Sequence, residues 1–257
     1  MSQTARIDSP PLTPVQRAAT YEVLARCLAY PDEGSLQALG ELVRIAESLL
    51  TSGPVARLGA ILQSLAPGEL ETAHIGTFTA VTSPDCPTYE SAFVCTDPGQ
   101  QPVIMADVAG YYRAFGLELA AGAMRPDDVS VELSFLGYLC RKEAYALEHL
   151  GAPRVKQARR IQRLFLREHL GRWGEALGDR LVDSSAHEFY RDLGVALREW
   201  VAAEAAFTGA EPIDRTAAPQ MPWPKPERAG GMDFGGPNGF VSLEDLAAGG
   251  EGDATFS

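Results

Sequence analysis

Histidine and cysteine are scarce, four of each in 257 residues, and the cysteines Cys27, Cys86, Cys95 and Cys140 form no CxxC pair. Scattered thiols of this kind read as free and partly buried, with neither a disulfide framework nor a zinc site implied. The histidines build no centre either. His187-Glu188 opens like a zinc-protease motif, but position 191 is Arg, and Glu71-x-x-His74 is half of a di-iron pattern whose second half is missing. No GxSxG or GxxxxGK[ST] occurs, so neither a nucleophile elbow nor a phosphate-cradling loop is indicated. No apolar run reaches 18 residues, which excludes a membrane-spanning helix. Met1 to Pro14 holds one basic residue and no apolar stretch, so a secretory signal is not expected and the cytoplasm is the expected location. Positive charge is short as well: 22 Lys and Arg stand against 34 Asp and Glu, a formal net charge of −12. Such a surface disfavours nucleic acid and attracts cationic partners. No catalytic set, metal or bound cofactor is expected.

What is present is helical periodicity, on a chain whose 46% hydrophobic content can bury a sizeable core. Thr13-Pro14-Val15-Gln16 predicts a capping-box start, followed by Ala18, Tyr21, Leu24, Ala25 and Leu28 on one face. Leu36 to Leu50 repeats the pattern until Gly53-Pro54 breaks it, and shorter helices are expected over Val55–Leu65 and Glu69–Thr79. Val81 to Gln101, rich in proline and polar residues, reads as a long connection, and connections of that length are commonly functional. Helices resume around Met105, over Val129–Leu150 and over Arg154–Leu170. Ser185-x-x-Glu188 predicts a capping box opening one more helix, through Val201 and beyond. No segment alternates with period two. The expected fold is all-α: a flexible N-terminus over 1–12, an irregular helical bundle over 13–208, and a Pro/Gly-rich acidic tail over 209–257. The tail carries nine glycines and six prolines and is expected to be extended or disordered, with one short helix near Val241–Leu246.

Seven basic residues lie between Arg154 and Arg172, with Arg159, Arg163 and Arg167 on one helix face. A solvated face paired with nearby carboxylates is the simple reading, and a docking face for an acidic or phosphorylated partner the functional one. Two clusters carry more. Cys86-Pro-Thr-Tyr-Glu-Ser-Ala-Phe93 sits in the long connection, and Arg125-Pro-Asp-Asp-Val-Ser-Val-Glu-Leu-Ser-Phe-Leu136 opens a helix. Carboxylates at a helix start suit its positive end, which accounts for Asp127 and Asp128 structurally. Asp128 and Glu132 are four apart and on one face, an arrangement that an arginine from a ligand would relieve through charge-assisted hydrogen bonds.

The ordered run Pro-x-Tyr-Glu-Ser-x-Phe, then Ala106-Asp-Val-Ala-Gly-Tyr-Tyr-Arg-Ala-Phe-Gly-Leu117, then Arg-Pro-Asp-Asp-x-Ser-x-Glu-Leu-Ser-Phe-Leu resembles the TorD/DmsD/NarJ family. These are cytoplasmic maturation chaperones of molybdenum enzymes, and the similarity extends over roughly residues 15–207. The resemblance implies an all-helical protein that is not an enzyme and works as monomer or homodimer. It would hold the precursor of a molybdenum-containing oxidoreductase subunit of the DMSO reductase family until its molybdenum cofactor is inserted. It also implies binding of the precursor's twin-arginine leader. Carried over by motif, the contact residues are Tyr89, Glu90, Ser91 and Phe93 in the connection and Pro126, Asp127, Asp128, Glu132 and Phe135 at the helix start. The family commonly has His where Asp128 stands and an acid where Ser134 stands. Two alternatives from other classes are a metal-dependent nucleotide hydrolase using Asp127, Asp128 and Glu132, and a helical adaptor acting through its tail.

Overall fold

A computed structural model of the chain describes residues 12–31, 35–49, 54–66, 68–78, 86–120, 124–213 and 240–242. Its helices are α1 (Pro14–Leu28), α2 (Ser35–Leu49), α3 (Pro54–Ser64), α4 (Glu69–Phe78), the single turn α5 (Ser91–Val94), α6 (Gln101–Ala114), α7 (Val129–Tyr145), α8 (Ala152–Glu168), α9 (Gly174–Ser184) and α10 (Glu188–Thr208). The fold is all-α, as the periodicity predicts. The one departure is a two-stranded antiparallel ribbon in which β1 (Leu117–Leu119) pairs with β2 (Phe240–Ser242), Glu118 opposite Val241. Val241 and Ser242, expected to begin a short helix, are therefore strand residues; Leu243 to Leu246 lie outside the described residues. The tail is also tied down at its start. Gly209, at φ 69°, closes α10, Ala210 is buried, and Ile213 N–H donates to Arg167 O (3.1 Å). Residues 214–239 and 243–257 lie outside the described residues.

Local chemistry sets the helix ends. Thr13 caps α1 as expected: its hydroxyl accepts from Gln16 N (3.3 Å), Gln16 Oε1 accepts from Thr13 N (2.8 Å), and Pro14 takes the first helical position, where its missing N–H removes no bond. The capping box expected at Ser185 does not form. Ser185 N–H still bonds Leu181 O (3.2 Å) and finishes α9, so the cap of α10 falls two residues later on His187, whose Nδ1 accepts from Phe189 N (3.2 Å). His74 is structural too: it is buried beside the Tyr190 hydroxyl (3.1 Å), and burial lowers its pKa to about 4.

The bundle core runs through α1, α7, α8 and α10, with Tyr21, Leu24, Leu133, Leu136, Phe165 and Leu197 fully buried. The α9 helix is missing from the periodic reading because its apolar stripe is short and glycines stand where a packing face would carry side chains. Those glycines are the packing face: a Cβ on Gly178 would come within 2.7 Å of Gly194 O, and one on Gly194 within 2.6 Å of Gly178 O. Helices α9 and α10 thus touch backbone to backbone, a distance only glycine permits.

The centre of the bundle also holds charge. Arg17, 1% exposed, donates from Nε to Glu204 Oε1 (2.8 Å), from Nη1 to Glu143 Oε2 (3.1 Å) and from Nη2 to Gln162 Oε1 (2.7 Å). Tyr21 adds its hydroxyl to Glu204 (2.9 Å), and Arg159 reaches in from the surface to Glu143 (2.6 Å). One arginine therefore ties together α1, α7, α8 and α10. Burial alone would drive this guanidinium toward neutrality; the Glu204 hydrogen bond and the surrounding negative groups outweigh it and keep Arg17 charged.

Candidate functional site

The two sequence clusters meet at the N-terminal end of α7. A bridge joins Tyr89 to Asp128: Glu90 N–H donates to Asp127 O (2.8 Å), and Val129 N–H to Thr88 O (2.7 Å). Side chains fasten the same seam. Asp128 caps α7, its Oδ1 accepting from Ser130 N (2.9 Å) and its Oδ2 from the Thr88 hydroxyl (2.7 Å). Asp127 Oδ2 accepts the Ser91 N–H at the head of α5 (3.2 Å). The long connection is thus bolted onto the start of α7.

Arg125 completes the seam. Its Nε and Nη2 donate to the two oxygens of Asp127 (2.9 and 3.1 Å), Nη2 also reaches Ser91 Oγ (2.9 Å), and the guanidinium lies 4.0 Å above the Tyr89 ring. Of the two carboxylates expected to share one helix face, Asp128 is committed to Ser130 and Thr88, and Glu132 is buried in the core.

Beneath the loop lies a buried polar layer. Glu90, fully buried, accepts from Arg172 Nη1 (3.2 Å) and from His169 Nδ1 (2.9 Å). Glu132 accepts from Trp173 Nε1 through Oε2 (3.3 Å), while its Oε1 has no hydrogen-bond partner among the described residues. Burial, reinforced by the charge of Glu90, raises the Glu132 pKa well above the usual carboxylate range. A carboxyl whose folded pKa exceeds its unfolded value stabilises the fold fully below the unfolded pKa, near 4.5, and that contribution fades as pH rises through the folded pKa. Glu132→Gln, isosteric with the neutral acid, is therefore expected to abolish this loss. Urea denaturation at pH 8 should show a gain on the order of 1 kcal/mol, typical of a removed local conflict, with none at pH 4.5; equal effects at both pH values would contradict the assignment.

The structure thus sorts the nine candidates by exposure. Glu90, Ser91, Asp127, Asp128, Glu132 and Phe135 are buried, Phe135 among the rings of Tyr112 and Phe165 (4.9 Å each). Tyr89, Phe93 and Pro126 are half-buried. Phe93 packs on Trp173 (ring centroids 5.2 Å apart), carries the Arg180 guanidinium 4.6 Å from its centroid, and borders an open cleft of about 330 Å³ with Val94, Arg172, Pro212 and Ile213. A larger groove, about 690 Å³, lies along α4 and holds none of the nine.

His169, Arg172 and Trp173 escaped the sequence reading. Arg172 counted there as the end of a basic surface face, yet its side chain is 7% exposed and points inward to Glu90. The available signal was the turn Leu170-Gly-Arg-Trp-Gly174, where a large aromatic and an arginine stand between two glycines. Of the basic face itself, Arg159 has its carboxylate, whereas Lys156, Arg160 and Arg163 are exposed with no ion pair among the described residues.

This is a helical bundle whose buried polar residues fasten the connection before α5 to the start of α7. Among the described residues no three His, Cys, Asp or Glu side chains are set to hold a metal ion, and no helix is long and apolar enough to cross a membrane. A family model described as nitrate reductase delta subunit matches residues 37–178, more than half of the chain. The chain belongs to that family, the NarJ/TorD-type maturation chaperones of molybdoenzymes. No curated protein matches it.

Proposed function

We propose that the chain acts in the cytoplasm on the precursor of a molybdenum-containing oxidoreductase subunit of the DMSO reductase family. It holds the precursor's twin-arginine leader while the molybdenum cofactor is inserted, then releases it for export. The observation that carries this reading is the joining of the two motifs at the start of α7, with Tyr89, Phe93 and Pro126 half-buried and the carboxylates beneath them buried. Aromatic and apolar groups suit the apolar part of such a ligand, and the net charge of −12 suits its basic part. The buried six of the nine candidates act by fixing that junction. The carboxylates invoked for a nucleotide hydrolase are engaged in hydrogen bonds within the chain, Asp127 to Arg125 and Ser91, Asp128 to Ser130 and Thr88.

The test is calorimetric titration with an Arg-Arg leader peptide of a DMSO reductase family precursor, against a Lys-Lys version. Binding near micromolar, about −8 kcal/mol, fits a chaperone that must let go. Phe93→Ala removes a half-buried aromatic anchor and should weaken binding about tenfold, near 1.4 kcal/mol. Equal affinity for both peptides, or an unaltered Kd in Phe93→Ala, would reject the assignment of the leader to this surface.

A further inference from the structure

We infer that Arg125 is a resident occupant of the site's own guanidinium-binding cage, which an arginine side chain of the client enters by displacing it. The cage is defined by its contents. Tyr89 covers one face of the guanidinium at 4.0 Å, the two oxygens of Asp127 accept from its Nε–Nη2 edge at 2.9 and 3.1 Å, Ser91 Oγ lies at 2.9 Å and Met105 Sδ at 3.5 Å. A π-face, a carboxylate fork and a hydroxyl around one planar cation select arginine over lysine, whose ammonium has no plane to stack and no fork to match.

The walls belong to the scaffold and the occupant does not. Asp127 is fully buried, and its Oδ2 also accepts the Ser91 N–H (3.2 Å), so the carboxylate stays oriented without Arg125. Ser91 opens α5, and the Tyr89 backbone is bridged to Asp128. Arg125, by contrast, precedes α7 on irregular backbone, and its side chain remains 35% exposed, which leaves it a way out. Its neighbour Pro126 is half-buried.

This deepens the proposed function and rests on it for the identity of the ligand. Exchange of one arginine for another leaves the cage contacts unchanged, so net affinity comes from the apolar surroundings and from any second cation. Affinity is thereby held down, and return of Arg125 to the cage speeds release. The specificity for arginine survives, because a lysine cannot repay the displaced contacts.

The experiment uses the full chain carrying Arg125→Ala and two probes. The first is ethylguanidinium against ethylammonium, read as thermal stability at matched concentrations. Ethylguanidinium should raise the Tm of the variant by several degrees relative to ethylammonium and leave the wild type unmoved, since a ligand stabilises only the state that binds it. The second is the Arg-Arg leader peptide, which should bind the variant about tenfold more tightly than the wild type. Should Arg125→Ala not fold by itself, refolding in ethylguanidinium but not in ethylammonium is the same positive result, and Arg125→Lys provides a charged host lacking the fork. No ethylguanidinium effect on either variant overturns the cage. Rescue by ethylguanidinium without any leader binding keeps the cage and refutes the client assigned above. Rescue with weaker leader binding in Arg125→Ala makes Arg125 a brace of the surface and overturns displacement.

Discussion

Arg17→Ala is expected to destabilise the chain by about 3–5 kcal/mol, the range for removing one partner of a buried ion pair. The loss follows from what remains. Glu204 and Glu143, 3% and 0% exposed, would be left as neighbouring buried carboxylates, with Gln162 and the Tyr21 hydroxyl as the remaining polar groups of the network. Arg159 reaches only Glu143 and does not replace the missing cation at Glu204. Arg17→Lys should restore little, since a single ammonium cannot serve Glu204, Glu143 and Gln162 at once. The informative contrast is Arg17→Met combined with Glu204→Leu, Glu143→Leu, Gln162→Leu and Tyr21→Phe. Apolar replacement of a whole buried network is often neutral or stabilising, so the combination should recover most of the loss in urea denaturation. Equal stability of Arg17→Ala and wild type would mean that water reaches the network, contrary to its burial.

That network also shows where sequence reading stops. Each member is in register with the apolar stripe of its helix: Arg17 precedes Tyr21, Leu24 and Leu28, Glu143 follows Leu136 and Cys140, and Glu204 follows Leu197 and Val201. A pattern counted in apolar residues passes over a charge on the stripe, although a polar residue at a core position is itself a signal that a partner lies opposite. The partner could not be named, because the four residues are brought together only by the packing of four helices. Where the physics is contained within a few residues, legibility was good: the cap at Thr13 needs only Gln16 and Pro14. The cap at Ser185 was misread because its backbone was already used by the preceding helix, α9, whose glycine face carries no apolar pattern. The functional surface was legible as two motifs and not as one site. Nothing in either motif says that Thr88 would bond Val129 or that Glu90 would turn inward to His169 and Arg172.

Glu90→Ala is the second large effect, again about 3–5 kcal/mol, because it strips a fully buried carboxylate from the Arg172 guanidinium and from the His169 ring. Arg172 would keep the carbonyl acceptors Ile213 O (2.9 Å) and Glu168 O (3.5 Å). The pH dependence carries a second signature. The Glu90 charge is one of the causes that raise the Glu132 pKa, after burial itself. With that charge gone, the folded pKa of Glu132 moves back toward its unfolded value. The stability that wild type loses as pH rises from near 4.5 through the folded pKa should then be smaller in the variant. Glu90→Ala therefore stands furthest below wild type in mildly acid solution and closes part of the gap by pH 8. Urea midpoints across that range measure both effects; a constant gap would separate Glu90 from Glu132. Leader binding should fall as well, because Glu90 fastens α5 to the buried layer, and without it Tyr89 and Phe93 lose the backing that presents them to a client. In this chain the acids nearest the recognition surface work mainly from below it.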